Sequence, residues 1–368
     1  MTNDTLIVGA GIIGLLTARA LLKQGQSVRL LDAGVSRPSA SWAAGGILSP
    51  LFPWRADAAV TRLTQDAPAR YQRLAAELMA EGCVDPEVDA CGLLVLETNE
   101  QQAALAWGQA QGTQVAAVTA ASVQPGMKEV PALWFPQLGS VRNSRLLHGL
   151  RTSLAKEGLL PETACVTRLE KRPQGWRAHT AQGVIDAKQV VVAAGAWSAE
   201  LLVPLGINLP VMPVKGQMAL YQLPPGRLAC VVVSDQGYLV PRRDGRVLVG
   251  STLETQVASM LPDKSGAELL AAKWSALLAQ LGDQLEGAEL LAQWAGWRPG
   301  NVTDVPFIGE APSQSGLFVC SGHYRNGICA APASVELLCA QLLRQPLPFA
   351  AEDYVLSSLS ASSSSLSA

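Results

Sequence analysis

The stretch Gly9-Ala10-Gly11-Ile12-Ile13-Gly14 constrains this chain more than any other part of it. It has the spacing GxGxxG and follows a short apolar run at 5–9. It opens a segment, 12–24, in which Ile13, Leu16, Ala20 and Leu21 recur at helical spacing. Gly25 marks the stop, and a second apolar run at 27–31 ends on Asp32. Strand, glycine turn, helix, strand and acid form the opening of a parallel βαβ unit that holds a dinucleotide. Gly9 permits the tight turn, Gly11 lets the backbone approach a pyrophosphate, and Gly14 lets the helix pack on the strand. The helix N-terminus offers N–H groups to the anion, and Asp32 offers a carboxylate to ribose hydroxyls. The motif alone does not choose between NAD and FAD.

Charge and composition remove other classes. The 368 residues suggest about two domains, interleaved. With 49% hydrophobic and 16% charged residues, a large core is expected and general disorder is not. The 28 basic against 30 acidic residues argue against a partner held by bulk phosphate charge, so no nucleic acid is expected. The seven cysteines are irregularly spaced, and even Cys83 and Cys91 form no CxxC pair. With only three histidines, no zinc spacing arises and no metal is expected. Buried thiols in a reducing, cytoplasmic setting fit best. The apolar run 6–22 contains Arg19 and the three glycines and lacks a basic leader, so neither a signal peptide nor a membrane span is expected.

Further along, the small-residue loop 39–50 leads to a predicted helix at 57–81. Mixed short strands and turns are expected over 84–139, with 92–97 a strand, and a helix over 144–158. Strands follow near 164–172, 176–180 and 189–194. A Pro/Gly-rich crossover at 204–215 leads to strands at 217–222, 229–234, 237–241 and 246–250, which suggest an antiparallel sheet. A helix at 265–281, a strand at 316–321 and a helix at 332–343 follow. The Ser-rich tail 357–368 reads as disordered.

Six segments together carry a resemblance over nearly the whole chain: the fingerprint, SASWAAGGIL from Ser39, VVVAAGAWS, GYLVP, WRPG and, most specifically, GHYRNGI at 322–328. They resemble the FAD-dependent amine and D-amino-acid oxidase superfamily, most of all its glycine-oxidising branch that serves thiamine biosynthesis. The resemblance implies an α/β fold: a Rossmann-like FAD-binding domain from 1–82, 140–212 and 300–356, with an interleaved substrate domain from 83–139 and 213–299 built on an antiparallel sheet. It places Gly9, Gly11, Ile12, Ile13, Gly14, Asp32 and Ala33 against the FAD. Ala40, Ser41, Gly45, Gly46 and Ile47 would line it from the loop, and Val166 would meet the adenine. Gly195 and the run His323, Tyr324, Arg325, Asn326, Gly327, Ile328 and Cys329 would wrap the flavin. Asp32 stands where the family usually has Glu, which shortens the reach to the ribose by one methylene. Residues 298–306 contain no Cys, so noncovalent FAD is expected.

Arg298, taken alone, reads as a surface guanidinium stacked on Trp297. The resemblance makes it a carboxylate clamp, since a planar fork pairs bidentately with a carboxylate. Arg325 would help position the substrate and Tyr238 would offer its hydroxyl; Tyr238 alone reads as an ordinary strand aromatic. No side-chain base is assigned, because His148 and His179 sit in ordinary helix and strand contexts. The implied reaction is oxidative deamination of glycine, sarcosine or small D-amino acids by hydride transfer from Cα to flavin N5. Dioxygen becomes hydrogen peroxide, and a 2-oxo acid such as glyoxylate leaves. The expected assembly is a homotetramer. A D-amino-acid dehydrogenase passing electrons to a quinone is the alternative, and a flavoprotein module acting on modified tRNA or a partner protein is a third.

Overall fold

The computed structural model describes residues 3–34, 39–96, 99–255, 259, 261–281 and 287–356. The tail 357–368, expected to be disordered, lies outside the described residues. Two eight-stranded sheets organise the chain. In the first, Asn3–Val8 lies between Val28–Asp32 and Gly183–Val192, parallel to both, and Leu317–Ser321 continues the parallel run. Alternation sends Ile7, Leu30 and Val191 to one core cluster, and Leu6, Val8, Leu31, Val190 and Val192 to the other. Both faces are covered, so these strands read as continuous apolar runs. Helices Ile12–Lys23, Asn143–Lys156 and Gly327–Leu342 pack on the first face. The antiparallel strands Val166–Arg172 and Gly175–Thr180, with the buried Trp176, contribute to the other cluster.

The second sheet runs in the order Glu289–Gly300, Met212–Gln222, Arg246–Gly250, Gly237–Pro241, Val231–Ser234, Leu93–Leu96, Pro131–Phe135 and Ala116–Thr119. It is antiparallel as expected, apart from one join: Val231–Ser234 runs parallel to Leu93–Leu96. These two strands are distant in sequence, so no hairpin dictates their direction. Helix Lys264–Leu281 covers the outer face through Leu270, Trp274 and Leu277, with Trp274 stacked on Tyr221 at 4.1 Å.

Several expectations need correction. The helix expected over 57–81 is two helices, Ala58–Thr64 and Ala67–Ala80. Pro68 in the first turn of the second helix cannot donate to the Thr64 carbonyl and ends the first. The region 84–139 holds an eleven-residue helix, Gln101–Gln111, as well as strands. Only Ala104 and Gly108 are buried there, so its apolar stripe is too thin to read. The crossover 204–215 gives way to strand at Met212.

The last helix starts at Gly327, not at 332, and Pro332 lies inside it. Proline leaves the carbonyl four residues earlier, that of Ile328, without its helical donor. Tyr71, fully buried on the neighbouring helix, donates its hydroxyl to that oxygen at 2.7 Å. Burial also drives the Tyr71 phenol well above its ordinary pKa, so it remains a donor. Tyr71→Phe is expected to cost about 1–3 kcal/mol, the cost of a buried acceptor left unpaired. Calorimetry of the holoprotein would read this as a melting temperature lowered by several degrees; an unchanged value would mean the carbonyl finds another donor.

Candidate active site

A cavity of about 670 Å³ opens at the carboxyl ends of the first sheet's parallel strands and is closed by the second sheet. That is where open α/β sheets bind ligands. Gly9, Gly11, Ile12, Ile13, Asp32 and Ala33 line it from the first βαβ unit, and Ala40, Ser41, Gly45, Gly46 and Ile47 from the loop that follows. Val166, Gly195, and the six residues His323, Tyr324, Arg325, Asn326, Gly327 and Ile328 complete one wall. Tyr238 and Arg298 reach it from the second sheet.

Two residues expected at the ligand do not line the cavity. Gly14 is a packing glycine: a Cβ there would overlap the carbonyl oxygen of Gly9. Cys329, the third residue of its helix, faces the helical core, where burial pushes its thiol up to about 12.

The fingerprint turn is held from both sides. Asp32 accepts from the Ala10 N–H at 2.7 Å and from the Gly34 N–H at 2.8 Å. Each carboxylate oxygen keeps a further lone pair for a ribose hydroxyl. Gly11 begins the helix without a capping side chain of its own, and Ile12 N–H donates to Ser41 Oγ at 3.0 Å. An anion arriving at this turn meets helix N–H groups and a hydroxyl that can rotate. The glycine loop is braced by Arg242, which is buried and donates to the Gly45 carbonyl at 2.8 Å and to Ser140 Oγ at 3.1 Å. Burial lowers the Arg242 pKa to about 10, so it remains a cation at neutral pH.

His323 is buried and its Nε2 lies 3.0 Å from Ser334 Oγ. The Ser334 hydroxyl proton is already donated to the Ala330 carbonyl at 2.9 Å. Burial lowers the His323 pKa to about 4, against 6.5 for an ordinary histidine. The unfolded chain binds this proton more readily, so the group's contribution to stability is present above pH 6.5 and is lost as pH falls toward 4. His323→Gln is expected to flatten the melting-temperature profile between those limits; an unaltered acid limb would place the titration elsewhere.

The substrate end is built across the second sheet. Val214 pairs with Arg298 and Gly216 with Gly296 in register. Arg298 extends over Gly216, where a Cβ would overlap its guanidinium. It donates to Ser251 Oγ at 2.8 Å and to the carbonyls of Thr252 and Lys215 at 3.2 and 3.3 Å. These bonds use three of its five donors, leaving donors for a ligand. Tyr238 is buried beside Gly45, and among the described residues its hydroxyl donates to the Met218 sulfur at 3.4 Å, a weak acceptor that a carboxylate would displace. Arg325 is placed differently from the other two. It is half-exposed, pairs with Asp304 at 3.2 Å and lies over the Tyr324 ring. Among the described residues no metal-binding cluster is present, and no helix is long and apolar enough to cross a membrane.

Sequence reasoning missed Gly216, Gly296, Met218 and Ser251, all of which line the cavity. It also missed the segment carrying Phe52 and Arg55, whose guanidinium sits 4.0 Å over the Phe52 ring. The first two face the cavity through the register of Glu289–Gly300 against Met212–Gln222, which local sequence does not show.

The family model described as "FAD dependent oxidoreductase" matches residues 4–341. The chain belongs to this family. It is 41% identical to glycine oxidase of Pseudomonas aeruginosa over 357 residues, covering 94% of this chain and 97% of that protein. It is 33% identical to the bifunctional protein ThiO/ThiG of Synechocystis, over 94% of this chain and 52% of that longer protein. The crystal structure of glycine oxidase from Geobacillus kaustophilus superposes with a TM-score of 0.88 at 29% identity, covering 97% of this chain and 99% of that one. The cavity therefore belongs to an FAD enzyme. The glycine cradle at Gly11, the bare helix start and Asp32 fit that cofactor.

Proposed function

We propose that this flavoenzyme oxidises glycine and other small amino acids, sarcosine and D-alanine among them, to the imine, which hydrolyses to a 2-oxo acid. When bound, FAD supplies the electron acceptor for the Cα–H bond and passes the electrons to dioxygen, which leaves as hydrogen peroxide. The observation that carries the reading is Arg298: a guanidinium fork with donors to spare, on a cavity wall shaped by Gly216, with the Tyr238 hydroxyl in the same cavity. Arg298 would hold the substrate carboxylate and Tyr238 would add a hydrogen bond. Arg325 would act from the rim through its pair with Asp304. The backbone of Gly9, Gly11, Ile12 and Ile13, with Asp32 and Ser41, would hold the dinucleotide half of FAD, and residues 323–328 the flavin half.

Noncovalent attachment is supported at Cys320, which lines the cavity and whose thiol burial keeps protonated. Acid precipitation is expected to release all the flavin. A cytoplasmic site is supported by seven free thiols. We further propose a homotetramer, the interleaved division of the chain set out above, and a role supplying imine for thiazole formation. An oxygen electrode tests the activity: glycine should drive oxygen uptake, half of it returned by catalase. A yellow protein that consumes no oxygen but reduces a quinone analogue would favour the dehydrogenase.

A further inference from the structure

Lys215 is fully buried, yet it lies on the strand that carries the cavity wall. Its neighbours Gly216 and Met218 line the cavity, and alternation puts Lys215 and Gln217 on the opposite face. There the ammonium pairs with Asp263 and lies 3.7 Å from Glu254. Asp263 also accepts from the Gly266 N–H at 2.8 Å, at the start of helix Lys264–Leu281. Glu254 accepts from Gln217 Nε2 at 2.9 Å and from the Thr252 hydroxyl.

The cluster is joined to the backbone that holds Arg298. Beyond Gly250 the chain stays beside Met212–Gln222: Lys215 N–H donates to the Glu254 carbonyl at 2.9 Å, and Glu254 N–H returns a bond at 3.0 Å. Gln217 N–H donates to the Thr252 hydroxyl at 2.9 Å, in place of a ladder carbonyl. The segment so fixed presents Ser251 Oγ and the Thr252 carbonyl, two of the three acceptors of the Arg298 guanidinium; the third is the carbonyl of Lys215 itself.

We propose that the cluster buried Lys215 forms with the partly exposed Asp263 and Glu254 is the positioning device of the carboxylate clamp: it pins residues 251–254 from behind the sheet so that Arg298 presents its free donors to substrate at a fixed angle. The inference rests on the reading of Arg298 as that clamp. Desolvating the Lys215 ammonium offsets much of what its partly exposed carboxylate partners return, so the pair adds little net stability and geometry is what it contributes. A clamp held at a fixed angle binds more tightly because less freedom is lost on binding.

The test compares holoprotein variants with glycolate, a carboxylate without the amine, titrated through the flavin absorbance. Lys215→Met keeps the volume and removes the charge. It is expected to raise the glycolate Kd and the glycine KM at least fivefold, with kcat changed less than twofold and full FAD content. Asp263→Asn keeps the Gly266 cap and is expected to move the same constants in the same direction. It also serves where Lys215→Met does not fold, and Asp263→Glu is expected to restore them. A merely structural role would lower melting temperature and FAD content together and leave the KM of the surviving holoenzyme unchanged. Wild-type glycolate Kd and glycine KM in the folded variants would overturn the positioning role. Wild-type values in Arg298→Lys as well would overturn the clamp reading instead.

Discussion

Replacing Arg298 with alanine is expected to lower kcat/KM for glycine by about 30- to 4,000-fold. Truncating one partner of a hydrogen-bonded charge pair in a buried site costs about 2–5 kcal/mol, and 1.4 kcal/mol is tenfold. Glycine has no side chain, so no apolar contact compensates. Arg298→Lys keeps the charge but loses the fork. A single ammonium cannot serve Ser251 Oγ and the carbonyls of Lys215 and Thr252 while presenting two parallel donors to a carboxylate. Its expected loss lies between wild type and alanine. Both variants should retain wild-type FAD content, because the fingerprint glycines and Asp32 belong to the βαβ unit of the other sheet. Oxygen uptake against glycine concentration measures the effect; Arg298→Ala with wild-type kcat/KM would remove the arginine from the site.

The first sheet was legible because both its faces are covered. Runs such as Leu6-Ile7-Val8 and Val190-Val191-Val192 leave no other reading, and the glycine turn between the first strand and helix fixes the direction. The second sheet was legible only in part. Gly237–Pro241 and Arg246–Gly250 stand between turn residues and match their expected bounds. Glu289–Gly300 did not show itself, because its first four residues are exposed and its later ones buried, so no single period runs through it. Helix Gln101–Gln111 failed for the opposite reason, with almost nothing to bury.

The cavity lining followed the same division. Every fingerprint and loop residue expected there lines it except Gly14, and of the run 323–329 only Cys329 turns away. Those residues act through backbone shape, which local sequence determines. Gly216, Gly296 and Ser251 depend on which strand lies beside which, and pairing across some eighty residues leaves no local mark. Lys215 is the extreme case. In sequence it is only the last residue of a Pro/Gly-rich crossover; in the fold it is buried against carboxylates from a later segment.

The first two tasks read into the fingerprint, shaping the turn and admitting the ligand, can be separated by substitution. Gly9 has φ +108°, and a Cβ there would overlap the carbonyl oxygen of Ala193, at the point where the ends of three parallel strands meet. Gly9→Ala adds backbone strain of about 1–3 kcal/mol to a backbone overlap that only movement of a strand end can relieve. The apoprotein is expected to melt more than about 5 °C lower or to be recovered insoluble. Gly11 has φ −74° and ψ −172°, which any residue adopts, and a Cβ would lie 3.2 Å from Ser41 Oγ, a hydroxyl able to turn aside. Gly11→Ala is therefore expected to leave the apoprotein's melting temperature within about a degree of wild type. It should weaken FAD about tenfold or more, since one methyl then stands where the pyrophosphate approaches the helix. Calorimetry of apoproteins and titration with FAD read the two effects separately. A large fall in apoprotein stability for Gly11→Ala would make it a folding glycine. Wild-type FAD affinity in that variant would move the pyrophosphate away from this turn.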